Sequence, residues 1–299
     1  MNKVAVIGEC MIELYNTKKN VYKKTFGGDT FNCAVYLKRS SSDIEIEYIT
    51  VLGKEALSTQ MIDFFHKEEI QTTYIDRLSD KTAGLYIIHT KDGERSFSYW
   101  RNDSAAKKLF LTNSLEKIKL DLIEFDLIYF SAITLAIMSE DGRRNLYETL
   151  DIARKNGVKV AYDSNYRPRL YNSVSSAKSL HVEALKHCDI FLPSYDDEKE
   201  LWGDVSIEDI IKNANCSEVV IKQGEEGVVY SFDGKRAEVK IEKLDKIIDS
   251  TSAGDSFNGA YLAARLENFS IEESIKKAIR LAAKVIMHKG AIVPKEKNE

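Results

Sequence analysis

Six short, largely apolar runs, separated by longer stretches with helical periodicity, constrain this sequence more than any other feature. They occupy residues 4–7, 47–52, 127–130, 158–162, 190–192 and 219–221. Runs of that length and continuity read as strands buried on both faces rather than as half-exposed strands. Between them, residues 58–68, 140–156 and 175–187 place apolar side chains at helical spacing. Parallel strands need crossover connections, so this alternation predicts an α/β fold, a doubly wound and mostly parallel sheet flanked by helices. A chain of 299 residues suits one large α/β domain or two modest ones, and a single domain over residues 1–299 is the expectation.

Two regions break the rhythm. Residues 85–89 and 95–100 alternate like strands on either side of Asp92-Gly93, a dipeptide suited to a tight hairpin turn. Residues 10–26 alternate in a similar way. The two insertions, residues 10–27 and 82–103, predict a small β-sheet standing off the main domain. Both a lid that keeps water from a ligand and a plain surface hairpin fit that pattern. A later hairpin, from 228–232 and 237–241 around Asp233-Gly234-Lys235, is expected at an edge of the main sheet. The chain should end in two helices, one starting near Asp255 and one over 271–289.

The formal net charge of -4 gives no electrostatic reason to expect nucleic acid as a partner. Anionic ligands must then be met by local clusters. No apolar run approaches membrane-spanning length, and the first residues are too few and too soon acidic for a signal-peptide core. A cytoplasmic location is the expectation. The four cysteines, Cys10, Cys33, Cys188 and Cys216, lie far apart with no CxxC pair, which reads as free thiols in a reducing compartment.

The segment Asp249-Ser-Thr-Ser-Ala-Gly-Asp255 carries the strongest chemical signal. Small residues at Ser252, Ala253 and Gly254 let the backbone turn tightly into a helix whose leading N–H groups have no partner, an anion site strengthened by the macrodipole. Asp255 beside such an anion can take a proton from an attacking hydroxyl. It can equally be a helix cap, since Asp favours that position. Physical reasoning leaves both open.

The same segment resembles the second signature of the PfkB carbohydrate kinases, the ribokinase-like family, whose closing Gly-Asp supplies the catalytic base. The family's first glycine is here Ser252. Gly27-Gly28-Asp29-Thr-Phe-Asn32 resembles the family's sugar-binding Gly-Gly…Asn motif, and Lys222-Gln-Gly224-Glu-Glu-Gly227 its nucleotide-binding turn. The resemblance extends over essentially the whole chain. It implies a ribokinase-like fold with a β-sheet lid, ATP and Mg²⁺ as cofactors, a small-molecule sugar as partner, and pairing of subunits through the lid. It further implies catalytic roles for Asp255, Gly254, Ala253 and Ser252, with nucleotide along Asn165, Arg167, Lys222, Gly224, Gly227, Ser252 and Gly254. Rival motifs are missing: there is no GxxxxGK[ST] loop, and Gly8-Glu9-Cys10 lacks the further glycines of a dinucleotide fingerprint.

Two arginines bear on the choice of sugar. Arg101 ends the predicted lid hairpin, and Arg167 follows a predicted strand, where open α/β sheets bind ligands. A guanidinium suits a carboxylate or phosphate more than a neutral sugar. Residues 84–106 and 165–170 also resemble the kinases of the family that act on 2-keto-3-deoxygluconate. That likeness implies a sugar-acid site from Gly28, Asp29, Asn32, Tyr86, Tyr99, Arg101, Arg167 and Asp255. Other family sugars (fructose, ribose, 5-keto-2-deoxygluconate) and a catalytically silent sugar-binding protein are the alternatives. The family's Asn-x-x-Glu metal element has Ser194-Tyr-Asp-Asp197 as its counterpart, so Asp197 is the candidate for hydrated Mg²⁺ or simply part of an acidic first turn.

Overall fold

A computed structural model describes residues 1–18, 21–91, 94–241 and 247–295. The first strands along the chain are β1 (Asn2–Ile7), β2 (Met11–Lys18), β3 (Val21–Gly27), β4 (Ile44–Ile49), β5 (Val51–Gly53), β6 (Asp76–Leu78), β7 (Leu85–Lys91) and β8 (Glu94–Trp100). They are followed by β9 (Leu127–Ser131), β10 (Lys159–Asp163), β11 (Ile190–Phe191), β12 (Glu218–Lys222), β13 (Val228–Phe232) and β14 (Lys235–Val239). Eight of them form the main sheet in the order β14-β13-β12-β11-β10-β9-β1-β4. Pairing is parallel from β12 to β4 and antiparallel only where β13 and β14 fold back along one edge.

The central strands are apolar throughout because both faces are covered. Val4 and Val6 face one core with Phe31, Phe65 and Tyr261, whereas Ala5 and Ile7 face another with Phe130, Leu146 and Leu150. On the first face, helices Asp29–Ser40 and Ala253–Leu266 pack tightly together. A Cβ placed on Gly259 would lie 2.6 Å from Cys33 O and 2.7 Å from Leu37 N, so only glycine allows this approach. That contact brings two helix N-termini to the same edge of the sheet.

Some boundaries differ from the sequence reading. The run 47–52 is interrupted at Thr50: β4 ends when Gly8 N–H takes Ile49 O at 3.2 Å, and β5 pairs instead with β6. The last helix stops at Val285, since the Ile286 carbonyl accepts from Ile248 and Asp249 N–H groups at 2.9 and 3.0 Å. The late hairpin closes through Asp233 and Gly234, both at positive φ (46° and 76°), so β14 starts at Lys235 rather than at residue 237.

A second sheet, in the order β3-β2-β7-β8, stands apart from the first. Its own small core is Met11, Tyr86 and Ile88, with Tyr15 and Phe97 against it. The Asp92-Gly93 turn lies outside the described residues. Large side chains exposed on this sheet are Val21, Tyr22, Tyr99 and Trp100. Among the described residues no helix is long and apolar enough to cross a membrane. The cysteines are not all distant in space: Cys188 and Cys216 bring their sulfurs within 3.1 Å.

Candidate active site

The polar residues of the fold converge where β9, β10 and β12 end, beneath the starts of helices Asp29–Ser40 and Ala253–Leu266. Asp163, the last residue of β10 and 3% exposed, accepts from Asn258 Nδ2 at 2.9 Å and Tyr129 OH at 3.3 Å. Lys222, the last residue of β12, places Nζ 3.5 Å from Asp163 Oδ1 and donates to Asn258 Oδ1 at 2.9 Å and Leu192 O at 2.7 Å. Asp29 accepts from Ser131 Oγ and, at 3.0 Å, from Asn165 Nδ2. Burial pushes the Asp29 carboxyl above its ordinary range.

Asp255 sits in the first turn of its helix. Ser252 enters that helix with left-handed backbone (φ 64°, ψ 14°), and no side chain caps it. Gly254 and Asp255 follow where N–H groups have no intrahelical acceptor. Above Gly254 the space is open: a Cβ built there would meet only Lys222 Nζ, at 4.0 Å. An atom resting over this turn would therefore lie between helix N–H groups and an ammonium, a setting for an anion. The Asp255 carboxyl is pushed up to about 7, first by burial and then by repulsion from Asp29 and Asp163. Asn32 Nδ2, donating to Asp255 Oδ2 at 2.8 Å, pulls the other way. Asp249, earlier in the segment, braces the turn by accepting from Thr251 N at 2.9 Å and Gly290 N at 2.7 Å.

Next to Asn32 lies the Gly27-Gly28 pair. A Cβ on Gly28 would come 2.2 Å from the Glu9 carbonyl, so the segment just after β1 and this turn meet backbone to backbone. A Cβ on Gly27 would lie 3.1 Å from Tyr86 OH, 3.5 Å from Asn32 Oδ1 and 3.7 Å from Glu13 Oε2. The second sheet thus delivers its polar groups to the same spot as the first. Tyr86 OH donates to Glu13, and the Tyr99 ring, 46% exposed, lies 5.9 Å from the Tyr86 ring.

Arg101 directly follows β8 at the end of the β7–β8 hairpin. Its side chain is 9% exposed and paired with Glu9, itself 1% exposed, so the guanidinium is balanced within the protein. Arg167 is half exposed and meets a different carboxylate, Asp197 Oδ1, at 3.3 Å. The acidic run 196–198 divides: Asp196 pairs with Lys199 outside, and Asp197 faces Arg167. Glu198 turns inward to accept from Trp202 Nε1 at 3.1 Å. Among the described residues no group of three or more His, Cys, Asp or Glu side chains is arranged to hold a metal ion. In the turn after β12, Gly224 and Gly227 both take positive φ (58° and 120°). A Cβ on Gly227 would come 2.5 Å from Val239 O, so this glycine is needed for β13 to meet β14.

The model of the pfkB family of carbohydrate kinases matches residues 1–298. The chain belongs to this family. It is 42% identical to the 2-dehydro-3-deoxygluconokinase of Escherichia coli K12 over 98% of each chain. Among solved structures it resembles the 2-dehydro-3-deoxygluconokinase of Thermotoga maritima (TM-score 0.83, 22% identity, 98% of this chain and 96% of that one). It also resembles a putative ribokinase II of E. coli in complex with ATP and Mg²⁺ (TM-score 0.84, 20% identity, 97% and 94%). At those identities the two structures speak for the fold, which is the α/β architecture expected from the sequence.

For a pfkB kinase, the residues that sequence reading missed are informative. Asp163, Asn258, Ser131 and Tyr129 hold Lys222 and Asp29 in place, while Glu9 and Glu13 hold Arg101 and Tyr86. Glu9 carried a signal, as an acid two residues past the apolar strand β1, whereas Glu13 lies within β2. Asn258 carried none, being one polar residue in a small-residue helix.

Proposed function

We propose that this chain transfers the γ-phosphate of ATP to the terminal hydroxyl of 2-keto-3-deoxygluconate, with Asp255 as general base. The observation that carries the base assignment is the setting of Asp255. Its carboxyl, pushed up to about 7, is held by Asn32 beside an open helix start that lies near Lys222. A base with that affinity is half-ionised near neutral pH and can still take a proton. The sugar is read from full-length similarity to kinases named for it.

In this reading the sugar acid lies against Gly28, Asp29 and Asn32, under the second sheet, which acts as the lid through Tyr86, Tyr99 and Arg101. The hydroxyl donates its proton to Asp255 as its oxygen attacks. The N–H groups of Gly254 and Asp255, with Lys222, receive charge developing on the phosphoryl oxygens. Nucleotide extends toward Asn165, Arg167, Gly224 and Gly227. Mg²⁺ would supply charge neutralisation to the phosphates. The residues fit a hydrated ion better than a directly ligated one, with Asp197 as the acid available to its water shell. Exposed Val21, Tyr22 and Trp100 on the lid support pairing of two subunits there.

One observation favours a second reading. Because Arg101 is already balanced by Glu9, a neutral ketose would suit that spot without an unpaired charge. ADP release measured with 2-keto-3-deoxygluconate, 5-keto-2-deoxygluconate, fructose and ribose separates the two. Preference for the first by kcat/KM, lost selectively in Arg101→Ala, supports the sugar-acid reading. A preference for fructose or ribose overturns it, and no turnover with any sugar points to a silent binder.

A further inference from the structure

Phosphoryl transfer leaves the pair Cys188 and Cys216 unused. Their meeting follows from strand register. β11 and β12 are parallel neighbours with Ile190 opposite Glu218, so two residues back along each chain Cys188 stands opposite Cys216. Paired strands run about 4.7–4.9 Å apart, inside the Cα window of roughly 4.4–6.8 Å that a disulfide accepts. The sulfurs already approach to 3.1 Å as a thiol–thiol contact. The two are unequal in access. Cys188 is buried, and Cys216 is partly exposed, so a small solute reaches Cys216 first. The neighbouring Cys216 sulfur and burial push the Cys188 thiol well up, which leaves it as the protonated partner.

We propose that Cys188 and Cys216 are an oxidation site that takes a hydroperoxide and closes to a disulfide, tying the amino ends of β11 and β12. The Cys216 sulfur attacks one peroxide oxygen, the O–O bond breaks, and the departing oxygen takes the electron pair and the Cys216 thiol proton to leave as water, giving a sulfenic acid. The Cys188 sulfur then attacks the Cys216 sulfur and expels its hydroxide, which leaves as water with the Cys188 proton. Two thiols and one hydrogen peroxide become one disulfide and two waters, the two electrons passing from sulfur to oxygen.

The cross-link encloses the segment with helices Tyr195–Trp202 and Ile207–Ala214, including Asp197. Both cysteines precede their strands, whereas Asp163 and Lys222 lie at the opposite, carboxyl ends. Oxidation therefore stabilises the fold and leaves sugar phosphorylation unchanged.

The test is to treat the native full-length protein with hydrogen peroxide, quench, denature, alkylate and map peptides. Expected are loss of two of the four thiols, a mass lower by two hydrogens, and a linked Cys188–Cys216 peptide. Tm should rise by about 5–10 °C, because closing a loop of this length removes unfolded-state entropy. Dithiothreitol should reverse the rise, and Cys188→Ser and Cys216→Ser should abolish it. ADP release with the best sugar of the panel should match that of the reduced protein; Tm and peptide mapping do not depend on which sugar that is. Four remaining thiols, sulfinic acid at Cys216 with no linked peptide, or a linked peptide with unchanged Tm would each overturn the proposal.

Discussion

Replacing Asp255 with Asn tests the chemistry and the electrostatics of the site together. The amide keeps the shape and loses the base. General-base assistance is worth about 10²–10⁴-fold, or roughly 3–5 kcal/mol of barrier, so kcat should fall by that much while ATP binding persists. In the wild type, kcat/KM should climb about tenfold per pH unit up to the Asp255 pKa of about 7 and then level off, because only the carboxylate accepts a proton. The variant should lose that limb. Stability should move in the opposite direction. The Asp255 carboxyl is raised from 3.8 to about 7 in the fold, so the folded state binds its proton more tightly than the unfolded chain does. Its contribution is therefore complete below pH 3.8 and is lost as pH rises through about 7. At about 1.4 kcal/mol per pKa unit the ceiling is about 4 kcal/mol, which partial exposure reduces to roughly 1–3 kcal/mol. Asp255→Asn should thus be more stable than wild type above pH 7 by that amount, and equal to it near pH 3.8. Urea titrations at the two pH values measure the difference. Near-normal turnover in the variant would refute the base assignment. A pH-independent stability difference would refute the electrostatic account.

Three smaller perturbations act on the same framework. Asn32→Ala removes the 2.8 Å bond that holds the Asp255 carboxyl down, so the break in the kcat/KM profile should shift above about pH 7; an unmoved break would count against it. Gly28→Ala forces a Cβ to 2.2 Å from the Glu9 carbonyl. Overpacking of this kind costs about 1–3 kcal/mol, read as a lower urea midpoint, and KM for the sugar should rise. Ser252→Gly relieves a left-handed backbone at φ 64°. It should gain about 1 kcal/mol in urea unfolding, and no gain would mean that the turn is held for another reason.

The sheet was legible because each central strand declares itself. Val4 to Ile7 are all fully buried, and no polar residue interrupts them. Where a strand had to change partners the signal failed. Nothing in residues 47–52 marks Thr50 as the point where β4 gives way to β5, since that break is made by Gly8 and by β6, both remote in sequence. The site divided along the same line. Asp255, Gly28 and Lys222 belong to short glycine-containing motifs whose backbone demands are local. Their partners are not local: Asn32 bonds Asp255 across 223 positions, and Arg101 finds Glu9 across 92. Arg101 was legible as the residue that ends the β7–β8 hairpin, but no local pattern announces its pair with Glu9, which joins two sheets. The cysteines fail for the same reason, since spacing of 28 positions hides a register contact between adjacent strands. What a sequence withholds here is which polar groups already satisfy one another. That decides how Arg101 can serve a ligand: released from Glu9 it offers a full charge to a carboxylate, and still paired it offers only hydrogen bonds. The selectivity of Arg101→Ala between acidic and neutral sugars distinguishes those two states.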